Sequence, residues 1–307
     1  MSARASDAGV TEAEFLAALR ALPLHPGAGD LRDDAARLGD LVITTDTLVE
    51  GVHFLPEDPP QDVAWKLLAV NLSDLAAKAA APEGVLLNYP LSGGDWDAAF
   101  LAGLDAALRA LGTLLLGGDT VSLPAGAPRV LSLTAIGRTA APPARSGARA
   151  GEALYVTGTI GDAGAGLRIA RGEVGPEALL AAYRRPQPRL AEGRALGGIA
   201  SAMMDVSDGL LIDAARLAAA SGLGVEIALD AVPLSPAYRA FAGDDRAARL
   251  AAATAGDDYQ LLFAAPADAI LRAPATRIGR LEAGQGLRLT EHGLPVPLPD
   301  RLGFEHG

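Results

Sequence analysis

Residues 41–54 read LVITTDTLVEGVHF. Leu41 and the β-branched Val42 and Ile43 are the apolar run expected of a buried strand. Thr44, Thr45, Asp46 and Thr47 follow, where packing alone would ask for more apolar residues, and Gly51 and His53 come next. A strand that runs into hydroxyls and a carboxylate ends either in a turn closed by local side-chain bonds or at a ligand site. Taken alone, the stretch favours the turn. The balance shifts because acids punctuate the ends of other apolar runs in the same chain.

Downstream, residues 62–82, DVAWKLLAVNLSDLAAKAAAP, predict a long amphipathic helix whose apolar face is interrupted by Asn71, Ser73 and Asp74. Residues 85–91 predict a strand and 95–111 a helix. Leu114, Leu115 and Leu116 predict a short buried strand, stopped by Gly117, Gly118, Asp119 and Thr120, and residues 130–136 predict another. Glycines there let a backbone approach a ligand, and the acid after them offers oxygen; a plain turn reads the same way. Upstream, Thr11 and Glu14 fit a capping box. A loop rich in Pro, Gly and Asp then leads into Asp33 and Asp34, adjacent acids just before the opening strand.

Residues 138–151, RTAAPPARSGARAG, are small, basic and proline-containing, and mark a boundary between domains 1–138 and 139–307. Arg145 within it is a fixed cation in an acidic chain. The second half opens with a strand at 154–156 that runs into TGTIGDAGAGL. Its glycines, Gly158, Gly161, Gly164 and Gly166, do not follow G-x-G-x-x-G, and no acid follows at the distance that a dinucleotide fingerprint needs. Tight helix packing, or a helix N-terminus near phosphate, accounts for them equally well. After YRRPQPRL a helix is expected to about residue 200. MMDVSDGL then holds Asp205, Ser207, Asp208 and Gly209, the densest acidic cluster of this half, with Asp213 capping or extending the next helix. A strand is expected at 223–229, and Gly256, Asp257, Asp258 and Tyr259 precede another at 260–264. Residues 288–298 read as a hairpin.

The 307 residues are 50% hydrophobic and 21% charged, enough for one large or two ordinary packed domains. A net charge of -11 argues against nucleic acid as the partner, although metal ions could still mediate phosphate binding. With no cysteine, and with His25, His53, His292 and His306 scattered, thiolate chemistry is excluded and a zinc site of the usual kind is not expected. Lys66 and Lys78 are the only lysines and neither lies in a Walker A loop. No apolar run approaches the ~18 residues of a membrane helix, and the N-terminal residues lack the apolar centre of a signal peptide. No membrane partner is expected, and a cytoplasmic location is.

If Asp33, Asp46, Asp74, Asp119, Asp205 and Asp208 converge, they cannot all remain ionised unaided. Two carboxylates ~4 Å apart repel by about 4 kcal/mol at an effective dielectric near 20, roughly three pKa units. Divalent cations resolve this, and an oxygen-only set of Asp and Thr selects Mg2+ or Mn2+. Mg2+ shares its shell with water and phosphates, which implies a nucleoside triphosphate. If they do not converge, they are turn-formers on separate loops.

The segments DDAARL, TTDTLVEGVHF, AVNLSDLAAKAA, LLGGDT, RSGARAGEALYVTGTIGDAGAGL, YRRPQPRL, DVSDGL and GDDYQLLF occur in this order from about Leu31 to Phe263. As an ordered set they resemble the thiamine-monophosphate kinases, of the superfamily named for aminoimidazole ribonucleotide synthetase. The resemblance implies an α/β N-terminal domain that builds the core of a homodimer, an α+β C-terminal domain, and a site in the cleft between them. It implies transfer of the ATP γ-phosphoryl group to thiamine phosphate with several Mg2+ ions. By matching motifs, Asp33, Thr44, Asp46, Asp74, Asp119, Asp205 and Asp208 would ligate Mg2+, Asp30 and Asp34 remaining alternatives to Asp33. Thr45, Gly118, Asp119, Arg145 and Ser207 would contact ATP; His53 and Asp257 would touch thiamine phosphate, with Phe304 stacking on it. Asp205, Asp208 and Arg145 would carry the transfer. The chain departs from the family pattern at Arg32 and Ala80, where Gly is usual, and at Asp257 and Gln260, where Glu is usual.

Overall fold

The computed structural model describes residues 11–124 and 126–305; the N-terminal residues 1–10 and His306 lie outside the described residues. The first half comprises α1 (Glu12–Leu19), β1 (Ala36–Leu38), β2 (Leu41–Val49), α2 (Pro60–Ala77), β3 (Ala81–Leu91), α3 (Asp95–Leu111), β4 (Leu115–Ser122) and β5 (Val130–Arg138). Its strands form a five-stranded sheet in the order β1-β2-β5-β3-β4. The second half comprises β6 (Ala153–Val156), α4 (Asp162–Ala170), α5 (Glu177–Arg184), α6 (Leu190–Leu196), β7 (Ala202–Asp205), α7 (Leu210–Ala220), β8 (Gly224–Ala228), α8 (Pro236–Ala242), α9 (Arg246–Thr254), β9 (Leu261–Ala265), β10 (Thr276–Glu282), β11 (Gly286–Glu291) and β12 (Leu294–Val296). Its seven-stranded sheet runs β12-β11-β8-β10-β6-β9-β7, antiparallel except where β11 lies along β8. The α/β and α+β halves expected from the sequence are both present.

Helix α2 is the element around which the halves assemble. Prolines at 59 and 60 and Asp62 in the first turn suit its N-terminus. The sequence predicts an amphipathic helix, but residues on all its sides are buried, including Lys66, Asn71 and Ser73. The reason is its position. One side packs on β2, β3 and β5, and the other meets β7, α5 and α6 of the second half. A helix covered all round needs no polar face.

The five-stranded sheet has unlike faces. Val42, Thr44 and Leu48 of β2, Leu131 and Leu133 of β5, and Val85 and Leu87 of β3 are buried on the α2 side. The opposite face carries cross-strand polar pairs: Thr45 opposite Thr134, and Thr47 opposite Ser132, whose hydroxyls lie 2.7 Å apart. The turn favoured for residues 44–47 is therefore absent. Those residues continue β2, and Thr45 and Thr47 satisfy their hydroxyls on the outer face within the ladder. Leu114–Leu116 are likewise not buried. Leu114 precedes, and Leu115 and Leu116 begin, an edge strand that continues through residues 117–122, with Leu115 and Leu116 half exposed.

In the second half, the glycine-rich turn after β6 leads into α4. Strand β6 has antiparallel neighbours on both sides, β10 and β9, so it is no part of a parallel dinucleotide-binding unit. Gly161 sits at φ 91°, and an added Cβ would come within 2.5 Å of Ala252 Cβ, so close helix packing dictates this glycine. The predicted hairpin is present as β11 and β12. Among the described residues no helix is long and apolar enough to cross a membrane.

Candidate active site

The inward alternation of β2 places Thr44 and Asp46 under α2. Asn71 and Asp74, three residues apart, share the facing side of that helix. Asn71 Oδ1 accepts the backbone N–H of Asp46 at 3.0 Å, and Asp74 accepts the Thr44 hydroxyl. Ser73, on the flank of α2, donates to Asp205 Oδ2 at 2.5 Å, so one helical turn holds acids from both sheets.

Beyond Asp205 the chain turns through residues 206–209 before α7. Asp213 Oδ2 accepts the backbone N–H groups of Ser207, Asp208 and Gly209 at 3.1, 3.1 and 3.2 Å. Asp213 thus caps its helix from inside and fixes the loop that presents Asp208. Arg216, less than one turn further, pairs with Asp213 at 3.0 Å and also with Asp208.

Carboxylate oxygens of Asp34, Asp74 and Asp205 lie within 4.8 Å of one another. Burial, then the charges of Asp34 and Asp208, push Asp46 up to about 6. Burial and Asp34 push Asp205 up to about 8, and burial with the charges of Asp46 and Asp205 raises Asp74. Asp34 goes the other way: burial opposes its charge, but Lys78 and Arg145 hold it down to about 2. Two crowded acids that resist ionisation, Asp74 and Asp205, beside an ionised one, Asp34, all offering oxygen, are the donor set that a hard divalent cation fits.

Asp46, Asp74 and Asp205 open onto a cleft of about 680 Å3, lined also by His53, Ser207, Asp208, Asp257, Tyr259 and Phe304. His53 Nδ1 accepts the N–H of Val49 at 3.0 Å, which closes the turn after β2. Asp257 has φ 67° and meets Lys66 Nζ at 2.7 Å. Phe304 N–H donates to Asp208 O at 2.8 Å, tying the tail to the cleft.

The structure thus brings together Asp46, Asp74, Asp205, Ser207, Asp208, His53, Asp257 and Phe304. Asp33 sits apart from the three-acid group: it pairs with Lys78, and its neighbour Asp34 supplies the oxygen beside Asp74 and Asp205. Thr44 stands behind Asp74 as its donor, and Arg145 is bonded to Asp34. Asp30 accepts only through its carbonyl, from Arg20 Nε at 3.0 Å, among the contacts of the described residues.

Thr45, Gly118 and Asp119 do not line this cleft. One row across the sheet runs Thr47, Ser132, Asn88, Asp119, all on the outer face, so Asp119 is three strand spacings of ~4.8 Å from β2. A Cβ at Gly118 would lie 1.8 Å from Leu87 O, so the approach of β4 to β3 by itself requires glycine there. Sequence reasoning missed Lys66, Lys78, Ser73 and Arg216. For the lysines a signal existed: a chain that uses arginine everywhere else keeps lysine only in α2 and just after it.

Residues 32–139 match the family model of AIR synthase related protein, N-terminal domain, and residues 149–292 that of its C-terminal domain. The chain is 40% identical to the thiamine-monophosphate kinase of Salmonella typhimurium, over 93% of each chain. It is 42% identical to that of Caulobacter vibrioides, over 92% of this chain and 86% of the other. Among solved structures, AaThiL complexed with AMPPCP and TMP matches with a TM-score of 0.86 at 29% identity, covering 100% of both chains.

Proposed function

The chain belongs to the thiamine-monophosphate kinase family, and on that premise we propose that it transfers the γ-phosphoryl group of ATP to thiamine phosphate, giving thiamine diphosphate and ADP. The observation that carries this reading is one cleft in which Asp46, Asp74, Asp205 and Asp208 face His53, Asp257 and Phe304. The acids form the end suited to a triphosphate with its cations, and the second group the end suited to an organic acceptor.

The acceptor is itself a phosphate, whose second pKa is ~6. An oxygen of it is already ionised at neutral pH and can attack the γ-phosphorus as the bond to the β-bridging oxygen breaks. No general base is needed, and transfer is direct and in line, without a phosphoenzyme. What the chain supplies is alignment and charge. Asp213 and Arg216 hold the 206–209 loop so that Asp208 faces the cleft. Ser73 and Thr44 orient Asp205 and Asp74. Asp34, Asp74 and Asp205, with Asp46 and Asp208 at the rim, would hold Mg2+, which when bound supplies the charge that lets the triphosphate enter an acidic site. Arg145 would stay beside Asp34 as a fixed cation at that end.

We further propose a cytoplasmic homodimer, with the domain boundary at 138/139. ATP as donor supports the compartment. Support for the dimer comes from the outer face of the first sheet, where Leu86, Leu116 and Val121 stand exposed. Pairing two such faces would cover them and bring Thr45, Gly118 and Asp119 to an interface. The test of the activity is transfer of radiolabel from γ-labelled ATP, with thiamine phosphate, thiamine and other phosphorylated metabolites as acceptors. Label in thiamine diphosphate is expected; label in another metabolite, or in inorganic phosphate alone, overturns the assignment.

A further inference from the structure

Lys66 is one of two lysines in the chain, and its side chain is only 3% exposed. It cannot touch a ligand in the cleft. Its ammonium nevertheless meets both walls at the acceptor end. From α2 it donates to the carbonyl of His53 at 2.9 Å and to Asp257 Oδ2 at 2.7 Å. It also stands 4.3 Å from the centre of the Tyr183 ring, in α5. His53 follows β2 in the first half; Asp257 and Tyr183 belong to the second.

What it holds on the second wall is a backbone in an uncommon state. Asp257 and Tyr259 have φ of 67° and 49°, a left-handed conformation that crowds Cβ against the carbonyl in side-chain-bearing residues. The backbone bonds there, Asp257 N–H to Ser207 O at 2.7 Å and Tyr259 N–H to Val206 O at 2.8 Å, tie the segment to the loop of the acidic cluster. Tyr259 donates its hydroxyl to Asp257 Oδ1 at 3.1 Å, so one carboxylate oxygen is fixed by the tyrosine and the other by Lys66. A compact ammonium can serve a carbonyl, a carboxylate and a ring face at once. The planar fork of an arginine would spread its donors in one plane.

We propose that Lys66 is a positioning residue for the phosphoryl acceptor, a buried cation that sets the separation and aim of His53 and Asp257 across the cleft. This rests on the thiamine-phosphate kinase reading. It assigns Lys66 to the acceptor and leaves ATP to the acidic end.

The test is steady-state kinetics of Lys66→Met and Lys66→Arg with each substrate varied in turn, with calorimetric binding of thiamine phosphate alongside. Lys66→Met is expected to raise KM for thiamine phosphate at least about tenfold and weaken its binding in parallel, while KM for ATP stays within about twofold. Lys66→Arg should fall between, since it keeps the charge and misplaces it. A general loosening of the fold would move both KM values together, and that result overturns the proposal, as does an unchanged acceptor KM. If Lys66→Met does not fold, the same criteria applied to Lys66→Arg decide. A wild-type enzyme inert toward thiamine phosphate overturns the functional reading itself. An active wild type with unaltered variants overturns only the role of Lys66.

Discussion

Ser73 Oγ donates to Asp205 Oδ2 at 2.5 Å, from a helix packed on the first sheet to the last residue of a strand in the second. Both residues are buried. The hydroxyl orients the carboxylate and favours its charged form, against the burial that otherwise pushes it up. Ser73→Ala should therefore weaken Mg2+ binding by about 10–100-fold, as loss of a ligand's hydrogen-bond partner typically does. Calorimetric titration with Mg2+ and a non-hydrolysable ATP analogue measures this. Unchanged affinity would show that the contact does not orient a ligand.

Lys78, 2% exposed, lies between Asp33 and Asp34 and donates to Met203 O at 3.1 Å, so all its donors are engaged. Replacing it by methionine leaves two adjacent part-buried carboxylates with Arg145 as their remaining cation. Removing one side of a buried ion pair costs about 3–5 kcal/mol. Lys78→Met should show that loss in the urea midpoint of the metal-free protein, and Mg2+ should recover part of it. A midpoint unchanged from wild type would count against a role for the lysine in holding the two acids.

Much of this arrangement was legible in the sequence. The 203–210 segment announced Asp205 and Asp208 because the strand, the acids and the helix start are contiguous. The β-branched start of β2 announced a strand. Its end was misread because threonines serve a strand as well as a turn: Thr45 and Thr47 find their partners, Thr134 and Ser132, on β5, some 85–89 residues away. Three leucines at 114–116 looked like core, yet hydropathy cannot separate a face buried within one chain from a face left open at a sheet's edge. Lys66 and Asp257 are 191 residues apart, and no local pattern joins them. The outward aim of Asp119 follows from strand register, which depends on three pairings at once.

Asp208 has Arg216 beside it and its own loop held by Asp213, so its carboxylate is aimed before any ligand arrives. Preorganised charge of this kind is worth about 10²–10³ in turnover when one group is removed. Asp208→Ala should reduce kcat at least that far, while the thermal midpoint of the metal-free protein changes little or rises. Retention of full activity would remove Asp208 from the phosphoryl-transfer site.

Leu86 stands on the outer sheet face one strand in from the edge, between Thr134 on β5 and Gly117 on β4, and is 38% exposed. In a homodimer that pairs these faces, a glutamate there would put an unpaired charge into the interface, with a penalty of several kcal/mol per buried ion. Leu86→Glu should sediment as a monomer and lose activity, since Thr45 and Asp119 would no longer be brought to a neighbouring site. A variant that remains dimeric would place the interface elsewhere; a fully active monomer would end the argument that Asp119 acts across it.

Asp46, Asp205 and Asp213 are raised, chiefly by burial, to about 6, about 8 and about 7, and Asp74 is raised with them. A carboxyl whose folded pKa lies above its unfolded value binds more protons folded than unfolded. Its contribution to stability is complete below about pH 4 and is lost as pH climbs through its folded pKa. The metal-free protein should therefore lose thermal stability from about pH 4 to about pH 8. Asp34, held down to about 2, acts only in the acid range below that window. Mg2+ competes with these protons, so the stabilisation it gives should grow over the same interval. Thermal denaturation in EDTA and in Mg2+, across that pH range, reads both trends. A metal-free midpoint that is flat or rises toward pH 8 would mean that the acids ionise without a cation, and that the cluster is not built to hold one.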